Sequence, residues 1–151
     1  MSTLSTWQKL THAWAIRKEW RGPNATQRPF VADLALFHSE VSEALEEIRK
    51  NPDPKYYYET YTVEYNGVVF KNITFEQACA LLDIEDASEW ELAKEELGLV
   101  GKPEGVGPEL ADLAIRVLET CEEYGLDLDF EIERKMTYNE GRELRHGGLL
   151  M

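Results

Sequence analysis

Apolar residues recur at helical spacing in four separate stretches of the chain. Trp7, Leu10 and Trp14 follow i, i+3, i+7, so a first helix is expected, capped by Thr6 and stopping near Gly22-Pro23. Asn24 to Arg28 reads as a loop, and Pro29 suits the first turn of the next helix. That helix carries Phe30, Val31, Leu34, Leu36, Phe37, Val41, Leu45 and Ile48 and runs to about Lys50. A third stripe, Leu110, Leu113, Ala114, Val117, Leu118 and Cys121, predicts a helix opened by Pro108 and ended by Gly125. Asp127 or Asp129 starts the last helix, with Phe130, Ile132 and Met136 expected to point inward.

Between the second and third stripes the period changes. Tyr56 to Phe70 is rich in Tyr, Thr and Val around Asn66-Gly67, a dipeptide that favours a tight hairpin turn, so Thr60–Tyr65 is expected to pair with Val68–Lys71. Thr74-Phe75-Glu76-Gln77 fits a capping box opening a short helix to about Leu82. Ser88-Glu89-Trp90-Glu91 fits another, ending near Gly98. Lys102 to Gly107, with Pro103, Gly105 and Gly107, reads as a loop. The expectation is a mainly α protein of one domain, residues 1–151. It is a helical bundle of about four long helices, with a β-hairpin and two short helices inserted at about residues 52–106.

Composition narrows the function. At 151 residues with 43% hydrophobic and 30% charged residues, the chain can bury a core. A formal charge of -13 argues against nonspecific nucleic-acid binding, which needs a basic footprint. No apolar run is long enough to span a membrane, and no signal-peptide pattern opens the chain, so a cytoplasmic protein is expected. Cys79 and Cys121 are far apart in helical patterns and read as reduced thiols.

The chemistry concentrates in acidic pairs. Glu40, Glu43 and Glu47 are three and four apart, so on a helix their carboxylates share one face and repel one another. Glu109 and Asp112 repeat the i, i+3 spacing on another helix. Both pairs border apolar residues, where acids need partners, and a hard divalent cation with oxygen ligands is one such partner. A solvated acidic face is the other reading of the same spacing. Lys135, Tyr138, Asn139 and Arg142 share one face of the last helix; the cations there could hold phosphate and Asn139 a base edge or sugar hydroxyl, or the four could form a polar solvent-facing stripe. Arg145-His146-Gly147-Gly148 reads as a basic tail that could fold over a phosphate. No Gly-x-Ser-x-Gly, Cys-x-x-Cys or extended Gly-rich fingerprint occurs, which argues against a serine hydrolase, a zinc site or a dinucleotide fold.

The ordered set Glu40-x-x-Glu43, Glu109-x-x-Asp112, Lys135-x-x-Tyr138-Asn139-x-x-Arg142 and Arg145-His146-Gly147-Gly148 resembles the MazG-like all-α nucleoside triphosphate pyrophosphohydrolases. The resemblance covers about Phe30 to Lys50 and Pro108 to Gly148. It implies a helical bundle assembling as a homodimer or homotetramer, and hydrolysis of a (d)NTP to (d)NMP and pyrophosphate. By position it implies Glu40, Glu43, Glu109 and Asp112 as ligands of Mg²⁺ or Mn²⁺, two to three ions per site. Glu43 and Glu47 are implied as catalytic carboxylates, Lys135 as a catalytic phosphate contact, and Tyr138, Asn139, Arg142 and Arg145 as substrate contacts. Glu43 and Glu109 stand 66 positions apart, far wider than is usual in that family, and the extra material is the inserted hairpin region. The chain also resembles in size the phage-encoded MazZ-type members, which implies (d)GTP as substrate and a host-cytoplasmic location. Two other readings fit the same acids: a non-enzymatic protein that docks on a basic partner, and a nucleotide-binding regulator without turnover.

Overall fold

A computed structural model describes residues 3–142. In chain order these form α1 (Leu4–Arg17), α2 (Phe30–Lys50), β1 (Tyr58–Tyr65), β2 (Val68–Thr74), α3 (Phe75–Leu82), α4 (Ala87–Leu97), β3 (Lys102–Glu104), α5 (Val106–Glu123) and α6 (Leu128–Glu140). The expected mainly α, MazG-like bundle is corrected to a mixed α/β architecture. Six helices among the described residues accompany a three-stranded antiparallel sheet in the order β2-β1-β3. Lys102–Glu104, expected as loop, pairs with β1 as an edge strand. Pro103 fits there because an edge strand leaves one side of its backbone without a ladder.

The chain divides into two compact units. One contains the residues up to His38 and from Leu113 onward, and the other contains Ser39–Asp112. Helices α2 and α5 each contribute to both.

In the first unit Thr3, not Thr6, caps α1: its hydroxyl accepts from Thr6 N at 3.2 Å. The helix ends at Arg17, ahead of the expected glycine, where Glu19 takes a left-handed backbone (φ 57°). Gln8 is buried on α1 and straps the turn between α5 and α6. Its Nε2 donates to Leu126 O at 2.9 Å and its Oε1 accepts from Leu128 N at 3.3 Å. Asp127 caps α6 by accepting from Phe130 N at 3.0 Å.

The interior of this unit is polar. Arg21 grips Glu119 with two parallel bonds, Nε to Oε2 at 2.8 Å and Nη2 to Oε1 at 3.1 Å. Its Nη2 also reaches Asp33 Oδ1 at 3.0 Å and donates to Thr120 Oγ1 at 3.2 Å. All four residues are buried, so Arg21 serves both carboxylates away from water, and Arg28 Nε adds a second cation 3.3 Å from Asp33 Oδ1. The inward stripe expected on α6 is corrected: Phe130 and Met136 are 56% and 64% exposed.

The second unit is built on the hairpin. Tyr65 pairs with Val68 across Asn66-Gly67, whose φ values of 51° and 76° are the positive pair that a tight hairpin turn requires. Tyr61 and Val63 alternate inward from β1 onto Ala78 of α3 and Trp90 of α4, with Ile73, Leu81, Leu82, Ile84 and Leu99 around them. Trp90 meets the Tyr61 and Phe75 rings edge-on at 4.9 and 5.2 Å. Thr74 and Gln77 close the expected capping box on α3. The α4 cap is Asp86 rather than Ser88, its Oδ1 accepting from Ser88 N at 2.8 Å and Glu89 N at 3.0 Å. Among the described residues no helix is long and apolar enough to cross a membrane.

Candidate metal centre

The second unit brings acids of α2 and α5 together. Glu40 and Glu43 lie one turn apart on α2, and Glu109 lies in the first turn of α5. One carboxylate oxygen from each lies within 4.8 Å of the other two. Glu40 and Glu109 are buried and Glu43 is exposed. The turn that delivers Glu109 depends on Gly105, whose carbonyl accepts from Glu109 N at 3.2 Å. Gly105 has φ +122°, and a Cβ there would stand 2.5 Å from the Tyr56 carbonyl oxygen. Only glycine lets β3 turn so tightly into α5.

The electrostatics of Glu109 follow from this geometry. Burial raises its carboxyl, the neighbouring charge of Glu43 raises it further, and Asp112 and Glu104 add smaller pushes in the same direction. Lys102 pulls the other way and is outweighed, leaving the group at about 7. The helix N-terminus also favours a negative charge, an effect of only about 0.3–1 kcal/mol near a surface, and burial beside a second acid overcomes it. The sequence-expected ligand set is thus gathered in part. Glu40, Glu43 and Glu109 converge, while Asp112 is exposed and acts on Glu109 through its charge.

The fit to a hard cation can be tested on distance. Magnesium–oxygen bonds are about 2.1 Å, so oxygens facing each other across the ion are about 4.2 Å apart. A trio within 4.8 Å needs only small side-chain rotations to reach that spacing. All donors are carboxylate oxygens, the ligand type that Mg²⁺ and Mn²⁺ take and that thiophilic metals do not prefer.

Glu47, one turn beyond Glu43, has protein partners of its own. Its Oε1 accepts from Lys50 Nζ at 2.5 Å and from the Tyr58 hydroxyl at 3.4 Å. The bond to Glu47 raises the Lys50 ammonium, and burial raises the Tyr58 hydroxyl. Tyr58 and Thr60 stand on one face of β1, opposite Glu104 and Lys102 of β3 in the ladder. Glu104 is buried, and its Oε1 accepts from Lys102 Nζ at 2.9 Å and Thr60 Oγ1 at 3.0 Å.

Lys135, Tyr138, Asn139 and Arg142 lie on α6 or just past its end, in the first unit, and all are exposed. Lys135 Nζ stands 5.3 Å and the Arg142 guanidinium 6.0 Å from the Tyr138 ring centre, so both cations approach the same aromatic ring. Arg145, with His146, Gly147 and Gly148, lies outside the described residues.

Sequence reasoning missed Lys102, Glu104, Thr60 and Tyr58. A signal for two of them was present: Lys102 and Glu104 are i, i+2, one face of a strand, but Pro103 and the following glycines read as loop. Comparison of the chain with protein-family models, with curated proteins and with solved structures gives no match.

Proposed function

We propose that this protein is a metal-dependent nucleoside triphosphate pyrophosphohydrolase, cleaving a (d)NTP to (d)NMP and pyrophosphate, with (d)GTP the first substrate to test. The observation that carries the reading is the convergence of Glu40, Glu43 and Glu109, two of them buried, on a trio of oxygens within 4.8 Å. Buried like charges are costly without a cation, and the raised Glu109 carboxyl is the sign of that cost.

Glu40 and Glu109, both buried, and the exposed Glu43 are the residues that would hold Mg²⁺ or Mn²⁺. Asp112 adds negative charge at the rim. Such an ion would supply charge neutralisation for the phosphates and a more acidic water. Glu43 orients the attacking water and accepts its proton. The water oxygen bonds to the α-phosphorus, the bond from that phosphorus to the bridging oxygen breaks, and pyrophosphate departs with the electron pair. Glu47, fixed by Lys50 and Tyr58, backs the proton-accepting edge of the same helix. Within the first unit, Lys135 and Arg142 beside the Tyr138 ring, with Asn139 next to them, offer positive charge and an amide suited to a nucleotide.

A homodimer or homotetramer is part of the proposal. It is supported by half-exposed apolar side chains, Trp7 and Leu10 on α1 and Val31 and Leu34 on α2, which a monomer would leave in water. Titration with Mn²⁺ tests the centre. Wild type should bind the ion, and Glu40→Gln or Glu109→Gln should lose most of that affinity; equal binding by the variants overturns the assignment.

A further inference from the structure

We propose that Lys102, carried on the strand that the insertion adds, holds the departing diphosphate of the substrate at the Glu40–Glu43–Glu109 centre. This rests on the metal-centre reading above and deepens it by assigning the phosphate end of the site to the inserted sheet.

The ladder supplies the geometry. Pairing of β3 with β1 sets Lys102 opposite Thr60 and Glu104 opposite Tyr58, so these side chains belong to one face of the sheet. The opposite face carries Tyr61 and Val63 into the hydrophobic core. The Lys102 face is tied to the acid-bearing helix through the Tyr58 hydroxyl, which reaches Glu47 of α2. After β3 the chain turns at Gly105 directly into the first turn of α5, where Glu109 sits. Lys102 therefore lies in the short segment that delivers a ligand of the centre, and its ammonium feels the charges of both Glu109 and Glu43.

Its surroundings suit exchange between two anions. The Lys102 side chain is 58% exposed, whereas its partner Glu104 is 11% exposed. The carboxylate is fixed and keeps Thr60 as a donor, while the ammonium sits on a flexible four-carbon stem at the solvent side. Lys50, the other lysine of this acid network, is engaged by Glu47 and Tyr58. A triphosphate approaching Glu40, Glu43, Glu47, Glu104 and Glu109 needs positive charge beyond that of the metal. Lys102 can supply it by leaving Glu104 for a phosphate oxygen, a charge-assisted bond to a compact point charge.

The experiment compares wild type, Lys102→Met and Lys102→Arg in Mn²⁺ binding, in KM for dGTP and in inhibition by inorganic pyrophosphate. The proposal predicts effects of opposite sign in Lys102→Met. Mn²⁺ binds a few-fold more tightly because a competing cation is gone, whereas the pyrophosphate inhibition constant and KM rise roughly tenfold, the loss of one charge-assisted hydrogen bond. Lys102→Arg keeps most of the pyrophosphate affinity. A purely structural lysine would weaken metal and phosphate binding together, and either that result or unchanged pyrophosphate inhibition overturns the proposal. If wild type itself binds no Mn²⁺ and releases no pyrophosphate, the metal-centre reading fails and this inference fails with it.

Discussion

Glu109 in the first turn of α5 faces Glu43 on α2, and burial together with that neighbour holds the Glu109 carboxyl at about 7. The folded protein therefore keeps a proton that the unfolded chain releases near 4.5. Stability contributed by this group is fully present below about pH 4.5 and is lost as pH rises through about 7. At the proposed centre a bound cation would displace the same proton, so stabilisation by Mn²⁺ should grow across that window. Thermal melts of wild type and Glu109→Gln, with and without Mn²⁺, check both signs. Wild type without metal should lose Tm more steeply over the window than the variant, and the variant should lose the Mn²⁺ increment.

Gly105 is the joint between β3 and α5, the helix that carries Glu109. Gly105→Ala places a methyl 2.5 Å from the Tyr56 carbonyl oxygen at a φ that side chains rarely adopt. We expect a loss of roughly 1–3 kcal/mol in stability. Because Glu109 follows the joint by one helical turn, Mn²⁺ affinity should fall with it. Urea unfolding and Mn²⁺ titration of the same variant measure the two effects, and unchanged metal affinity would show that the joint does not position Glu109.

The first unit rests on a buried ion cluster. Arg21→Met leaves Glu119 and Asp33 buried with their shared guanidinium removed. The expected cost is about 3–5 kcal/mol, read from the shift in denaturant midpoint. In the second unit Trp90→Ala removes the ring that Tyr61 and Phe75 pack against and should cost about 3–5 kcal/mol. Each is a stability effect, checked by the same unfolding measurement, and a cost below about 1 kcal/mol at either site would contradict the packing described.

The local signals that could be read in the sequence were those written in short-range chemistry. Asn66-Gly67 forces a turn within two residues, and Thr74 with Gln77 closes a capping box within four, so both were visible. The acid spacing on α2 was visible for the same reason, since i, i+3 on a helix fixes a face. What escaped depended on distant partners. Lys102–Glu104 becomes a strand only because β1 stands beside it, and Pro103 disguised it. The inward direction expected of Phe130 and Met136 failed because an apolar stripe specifies a face and not its cover. Caps slipped by two or three residues, from Thr6 to Thr3 and from Ser88 to Asp86, where neighbouring polar residues compete for the same amides.

The proposed centre of Glu40, Glu43 and Glu109 would cut nucleoside triphosphates at the α-phosphorus. Pyrophosphate release measured over the common NTPs and dNTPs, with Mg²⁺ and with Mn²⁺, tests it most directly, using wild type beside Glu43→Gln. The expected result is release of pyrophosphate rather than orthophosphate, dependence on the added cation, and a fall of roughly a hundredfold or more in Glu43→Gln, the scale of a lost general base. Release by Glu43→Gln at near wild-type rate, or no release by wild type from any nucleotide, would contradict it.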